Sequence, residues 1–449
     1  MDNPTGSVDL RKQGVTMKQN RMTLFVGLLA VAFSASAQVS QTEKKQFTHL
    51  KNGADIKVQT GNMTAVAQGE NNEARSRVGS VKGSTVQGRV KLDVKTGDLA
   101  AVASGKDNKA LNRVGGIDGS SVKGNVNTKV NSKDVTTVAR GQGNQAGTQI
   151  GNLHDSKVAG NVDIQARTGS VTNVADGNKN HANVNTASVK TSEVGGNVSL
   201  NARTGDIANQ AKGNGNSAEV NTAGINQAKI GGNARLQAES GKITNSASGS
   251  KNFSAVNIGG VQQADVGGTV STKARVGDVT NTTHGSENSA IVAVGGVKSS
   301  DPRMPTNIGK NAQLNATTGN IVNQASGKQS TAIVNVGSVR DSEVGGSVRT
   351  DAKAGNIQNM ASGKKSESLV NIGGVDRSKI GGNADLKAET GNITNVASNG
   401  AKVQTVAGGV QDARISGNVK THVAMKNVTT VGSGKNNLVQ NSAGVIGGD

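Results

Sequence analysis

From Asp55 onward the order of apolar and polar residues returns every 36 positions, with copies starting at Asp55, Lys91, Asn127, Asp163, Ser199, Arg235, Ser271, Gln313, Arg349, Asp385 and Lys420. The seventh copy is six residues longer and the tenth is one shorter. A repeat of this length predicts a solenoid, because one copy buries its apolar face only by stacking on the next. The ninth position is aliphatic in every copy: Met63, Leu99, Val135, Val171, Ile207, Ile243, Val279, Ile321, Ile357, Ile393 and Val428. The second position is aliphatic or Thr (Ile56, Leu92, Thr128, Ile164), and the fourth follows it as Val58, Val94, Val130, then Ala166, Ala202 and Ala238. Apolar residues two apart mark strands with one face inward.

Thr-Gly pairs such as Thr60-Gly61 and Thr204-Gly205 separate these strands, and a second turn follows at Gly69, Gly105, Gly141, Gly177 and Gly213. Gly reaches the positive φ that tight turns demand. A second pair of short strands, such as Ala218-Glu219-Val220, and a corner such as Ile230-Gly231-Gly232 close each copy. The pattern predicts about four strands of four to six residues per repeat. The expected fold is all-β, a right-handed parallel β-solenoid of eleven 36-residue repeats, the hand following from the rule for parallel crossovers. Spacing alone allows one coil per repeat or two of about 18 residues, hence a stack of roughly 50 or 100 Å at about 4.8 Å per coil.

Two polar columns run through the pattern. Asn173, Asn209, Asn245, Asn281, Asn323, Asn359 and Asn395 stand two residues after the inward aliphatic position and are predicted to point inward. A lone buried amide is costly, whereas amides in register bond to those above and below. The second column, Asn72, Asn108, Asn144, Asn180, Asn216, Asn252 and Asn288, falls in the Gly turn, where Asn is expected for its tolerance of φ > 0.

The chain has no Cys, Trp or Tyr and four Phe, so an interior of ordinary globular type is excluded in favour of a thin one of Val, Ile, Leu and Ala. Helices are excluded because 3.6-residue apolar spacing is lacking and 62 Gly would each cost about 1 kcal/mol inside a helix. Gly at every third residue, the mark of collagen, is also lacking. Met17 to Ala37 has a basic start, an apolar stretch from Leu24 to Phe33 and a small-residue cleavage site at Ala35-Ser36-Ala37, which predicts a secretory signal. The expected organisation is a signal peptide over 1–37, with Met17 a candidate start, an amino-terminal cap over 38–54 and the repeat domain over 55–449. The mature chain is expected to carry no transmembrane segment and to be secreted or held at the cell surface.

The stretch Val198 to Ala211, with its Leu/Ala strand, Gly turn and Ile-x-Asn strand, resembles the repeats of filamentous-haemagglutinin-type adhesins. Gly213-Asn214-Gly215-Asn216-Ser217-Ala218 is similar to the turn of curlin-type amyloid fibre subunits. The long secretion domain of the large haemagglutinins and the regular Gln positions of curlin repeats are missing. The resemblance implies a bacterial extracellular β-solenoid that adheres or assembles, as in a biofilm.

For catalysis the sequence offers little. His49, His154, His181, His284 and His422 fall in different columns with no metal-ligand spacing, and His154 and His181 are expected in exposed loops. Carboxylates are scattered: Glu239 and Glu389 share a column with Lys95, Arg167, Arg203, Arg275 and Lys353, a mixed solvated face. Nucleophile elbows, phosphate loops and dinucleotide fingerprints are absent. The expectation is a protein that is not an enzyme, with no catalytic, cofactor or metal residues and no cofactor.

The net charge of +19, about +17 after the signal, makes polyanions candidate partners: extracellular DNA, acidic polysaccharide or lipopolysaccharide. The mature chain keeps only Phe47 and Phe253 to stack on bases, so sequence-specific nucleic-acid binding is not expected. The six extra residues of copy seven surround Pro302, Arg303 and Pro305, a candidate contact loop. An interrupted outward Thr column (Thr64, Thr136, Thr172, Thr244, Thr280, Thr394, Thr429) supports an alternative, binding to ice or another flat lattice. A cap of Gln38 to Asn52 at one end, and none recognised at the other, predicts end-to-end self-association.

Overall fold

Each repeat makes one coil, and each of the first ten coils contributes a strand to all five parallel sheets, the eleventh to three of them among the described residues. The computed structural model describes residues 48–298, 305–434 and 437–447, so the signal segment, residues 38–47 of the cap, and Pro302 and Arg303 lie outside the described residues. In the fifth coil the strands are Val198–Thr204, Ile207–Gln210, Ala218–Thr222, Ile225–Asn226 and Lys229–Ile230, which define the first to fifth sheets. Among the described residues four sheets have eleven strands and the fourth has ten. The expected four strands thus become five, because the closing corner holds two separate two-residue strands. One coil per repeat gives the stack a rise of roughly 50 Å, the shorter of the two alternatives. Thr48–Leu50, inside the expected cap, already pairs in parallel with Ser84–Val86 in the fifth sheet.

Register is strict. Ile164 stands beside Leu200 and Leu200 beside Leu236, each 36 residues on. In the seventh coil Val297 pairs with Val339 and Asp265 with Asn307, so the extra residues enter between the fourth and fifth sheets. In the tenth coil the missing residue comes out of the turn between the second and third sheets, since Ser362 pairs with Ser398 but Glu367 with Lys402. Both changes fall in turns, where a length change leaves the inward-outward alternation of the strands untouched.

Inward residues of all five sheets meet in one aliphatic core that runs through the stack and includes Leu92, Ile164, Leu200, Val220, Leu236 and Ile243, all at most 1% exposed. Toward the turn between the second and third sheets the aliphatic interior gives way to small residues, with Ala139, Ala146, Ala175, Ala182, Ala211 and Ala218 in contact beside buried Asn and Thr.

Glycine does different work at different corners. Gly115 has φ +59°, and a Cβ there would lie 2.2 Å from Val130 Cγ2. At the Thr-Gly turn Gly169 needs no positive φ; a Cβ would instead fall 2.2 Å from Asp134 Oδ1 of the coil below. In the second turn, where Gly was expected to supply positive φ, the residue after it does so in several coils: Lys106, Gln142, Asn178 and Asn214 have φ between 95° and 101°. These residues are held by coil-to-coil bonds, such as Gln142 N–H to Gly177 O at 2.7 Å.

Candidate functional site

The second sheet carries the inward Asn column, and its geometry follows from the narrow interior. Asn209, Asn245, Asn281, Asn323, Asn359 and Asn395 are at most 1% exposed. Each of the first five donates from Nδ2 to Oδ1 of the next, at 2.9, 2.9, 2.8, 2.8 and 3.0 Å. The same nitrogens reach across to third-sheet carbonyls, as Asn209 does to Glu219 O at 3.0 Å and Asn281 to Ile291 O at 3.2 Å. The amides therefore tie coil to coil and wall to wall at once. Asn173 is buried in the same column but not bonded to Asn209. Its Nδ2 hydrogens go to Asn183 O and Ala146 O, leaving Oδ1 of both Asn173 and Asn209 without a donor.

The second Asn column is also buried, which corrects its assignment to plain turn chemistry. Asn108, Asn144, Asn180, Asn216 and Asn252 are at most 2% exposed, and none of them has positive φ. Nδ2 of Asn108 donates to Oδ1 of Asn72 at 2.8 Å, and the pattern repeats at 2.8, 2.8, 2.8, 2.9 and 2.6 Å through Asn288. These amides donate toward the preceding coil, whereas the first ladder donates toward the following one. The second nitrogen hydrogen closes the turn on a carbonyl four residues back, Asn144 on Arg140 and Asn180 on Asp176. From Asn288 the column passes to Ser330, whose Oγ donates to Asn288 Oδ1 at 3.0 Å.

Exposed corners repeat the device with backbone donors. The N–H groups of Asn197 and Asn233 reach the Oδ1 of Asn161 and Asn197, both at 2.7 Å, and those of Ser170 and Lys242 reach Asp134 and Asp206 at 2.7 and 2.8 Å.

Charges concentrate on the outer face of the first sheet and pair between coils. Arg203 meets Glu239 at 3.1 Å and Lys353 meets Glu389 at 2.8 Å; on the fifth sheet Lys157 meets Glu193 at 3.0 Å and Lys379 meets Glu343 at 2.7 Å. Hydrogen bonds from Lys353 and Lys387 hold the Glu389 carboxyl down to about 2. Part of the positive charge is thus paired with carboxylates of neighbouring coils. The second sheet differs. Its two outward columns, from Thr64 and Val66 to Thr429 and Val431, hold Thr, Ala, Val, Gln, Ser and Met and no charge in eleven coils.

Two titratable clusters escaped the sequence reading. His154, expected in an exposed loop, is half-buried in the fourth sheet, directly above Asp118. Its Nδ1 lies 3.0 Å from Asp118 Oδ1 and 3.2 Å from Asp155 Oδ2, while Arg113 Nη1 is 2.5 Å from Asp118 Oδ2. Burial alone would raise the Asp118 pKa; hydrogen bonds from His154 and Arg113 outweigh it and hold the carboxyl at about 2. Asp118, His154 and Asp155 place one ligand atom each within 4.8 Å of one another and are the residues that could hold a cation, although Arg113 already satisfies Asp118. Higher in the same column Arg340 Nε lies 3.2 Å from Asp376 Oδ2, and Arg377 Nε lies 2.8 Å from Asp341 Oδ1. Lys298 sits one coil below Arg340, and burial together with that guanidinium pushes its pKa down to about 8. The signal was legible: Lys82, Asp118, His154, Lys190, Asn226, Gln262, Lys298, Arg340, Asp376 and Gln411 form one polar column.

Of the candidate contact loop only Pro305 is described. It is half-buried on the rim of a groove of about 710 Å³ with Gln227, Lys229, Gln263, Asp265 and Asn307. No family model matches the chain, and neither a curated protein nor a solved structure matches it.

Proposed function

We propose that this chain is an exported structural or adhesive protein of the cell surface that assembles with itself end to end, as a fibre or matrix component. The observation that carries the reading is the outer side of the eleventh coil. Its strands Val419–Met425, Val428–Ser433 and Leu438–Ala443 pair with the tenth coil and have no described neighbour beyond. Val439 and Ile446, in register with buried Val403 and Val410 of the coil below, are 47% and 58% exposed. An unpaired parallel edge with apolar side chains templates another strand of the same kind. In the first coil the inward Ile56, Val58 and Met63 are likewise only partly covered, an apolar edge of the kind an incoming copy can pair with.

Recurrent polar side chains support the same reading, because the two Asn ladders and the Asx corners serve coil-to-coil bonding. Among the described residues no helix is long and apolar enough to cross a membrane. Electron microscopy and light scattering of residues 38–449 test the proposal. Elongated assemblies are expected, lost on Val439→Lys with Ile446→Lys. A stable monomer at high concentration defeats it.

A further inference from the structure

We infer that the uncharged outer face of the second sheet pairs with the same face of a second copy, the two stacks lying side by side and parallel. This goes beyond the end-to-end reading and uses a different surface. In a chain that is 18% charged, the two outward columns of this sheet hold no ionisable group in eleven coils, whereas the first, third, fourth and fifth sheets all carry charges on their outer sides. Two copies with a net positive charge repel each other least across such a face.

The face is also large enough. Four-residue strands of about 13 Å and eleven coils rising about 50 Å give roughly 650 Å² per copy, or about 1,300 Å² buried in all, within the range of specific interfaces. Short side chains on a regular parallel sheet suit face-to-face sheet packing.

Its edges select the orientation. Asp134, Asp206 and Asp278 stand just before the strand and are exposed; Arg140, Lys212 and His284 stand just after it and are exposed. A two-fold axis along the stack sets equal coils opposite each other with their edges exchanged, so Asp134 faces the partner's Arg140 and Asp206 faces the partner's Lys212. Each Asp has one oxygen on the next coil's N–H, as in Asp206 Oδ1 to Lys242 at 2.8 Å, which leaves the second for the partner. A centred antiparallel pair instead brings Asp206 against Asp278, two like charges.

Sedimentation equilibrium of residues 38–449 tests this. Thr172→Lys with Thr280→Lys, both mid-face and remote from the end coils, is expected to weaken the dimer at least tenfold with an unchanged circular dichroism spectrum. Ser199→Lys with Ser271→Lys, on the first sheet, is expected to leave it unchanged. Asp206→Lys is expected to weaken the dimer and Asp206→Lys with Lys212→Asp to restore it. Because the chain has no Cys, mixing Asp206→Cys with Lys212→Cys chains is expected to give a crossed disulfide. A side-by-side dimer that ignores the Thr pair overturns the inference, as does weakening by both Lys pairs alike. So does a chain that stays unpaired yet shows thermal hysteresis abolished by the Thr pair, which marks a lattice-binding face. Loss of end-to-end assembly alone, as in the Val439→Lys, Ile446→Lys variant, leaves the side-by-side dimer intact and bears only on the end-to-end reading.

Discussion

Replacing Asn281 by Leu cuts the first amide ladder at its middle, and the structure sets the cost. Asn281 Oδ1 accepts from Asn245 Nδ2 at 2.9 Å and from Ser254 Oγ at 2.7 Å, and its Nδ2 donates to Asn323 Oδ1 at 2.8 Å and Ile291 O at 3.2 Å. After substitution Asn245 Nδ2 still reaches Ala255 O at 3.0 Å and Ser254 Oγ at 2.8 Å, so it stays satisfied. Asn323 Oδ1 loses its donor in a site that is 0% exposed. A stranded buried acceptor costs about 1 to 3 kcal/mol, and the bulkier, shape-mismatched Leu adds a comparable packing cost, so a loss of about 2 to 5 kcal/mol is expected. Asn281→Thr should cost less, since the column itself places Thr137 and Thr430 at its ends. The internal control is Asn173→Leu. Asn173 makes no bond to Asn209, so no neighbouring amide is newly stranded there and the loss should be clearly smaller. Because a stack opens in parts, hydrogen exchange of Val279–Thr282 and Ile321–Ser326 is the appropriate assay, with urea denaturation beside it. Equal effects at Asn281 and Asn173, or no effect at Asn281, would refute the ladder as a source of stability.

In the second ladder, Asn180→Ala removes the donor to Asn144 Oδ1 and the acceptor for both Asn216 N–H and Nδ2, so denaturation should show a loss of about 2 kcal/mol or more; a few tenths would mean that the turn needs no amide. Asp118, held at about 2 in the fold against about 3.9 unfolded, contributes about 2 kcal/mol that is fully present above pH 4 and lost as pH falls through 2. Asp118→Asn should therefore flatten stability between pH 4 and 2, and an unchanged acid limb in urea titrations would contradict that. Binding to DNA or acidic polysaccharide, measured by fluorescence anisotropy, should fall steeply with salt because no aromatic platform supports it; salt-insensitive binding excludes the electrostatic mechanism.

What the sequence by itself determined was everything governed by period. The 36-residue return, the inward aliphatic column from Met63 to Val428, the parallel stack and the inward direction of Asn209 through Asn395 follow from alternation within strands, which is local along the chain. Spacing could not decide how many sheets a repeat spans, because one 36-residue coil and two 18-residue coils place the same residues in columns. Nor could it separate a turn Asn that adopts positive φ from one that is buried: Asn180 differs from its neighbour Asn178 only in which of them the turn rotates inward. The pairs between coils, Arg203 with Glu239 and Asp118 with His154, lie 36 residues apart and become neighbours only once stacking fixes the register. The break at Asn173 shows only in the structure, where its Nδ2 hydrogens go to Asn183 O and Ala146 O across the interior and not to Asn209 Oδ1.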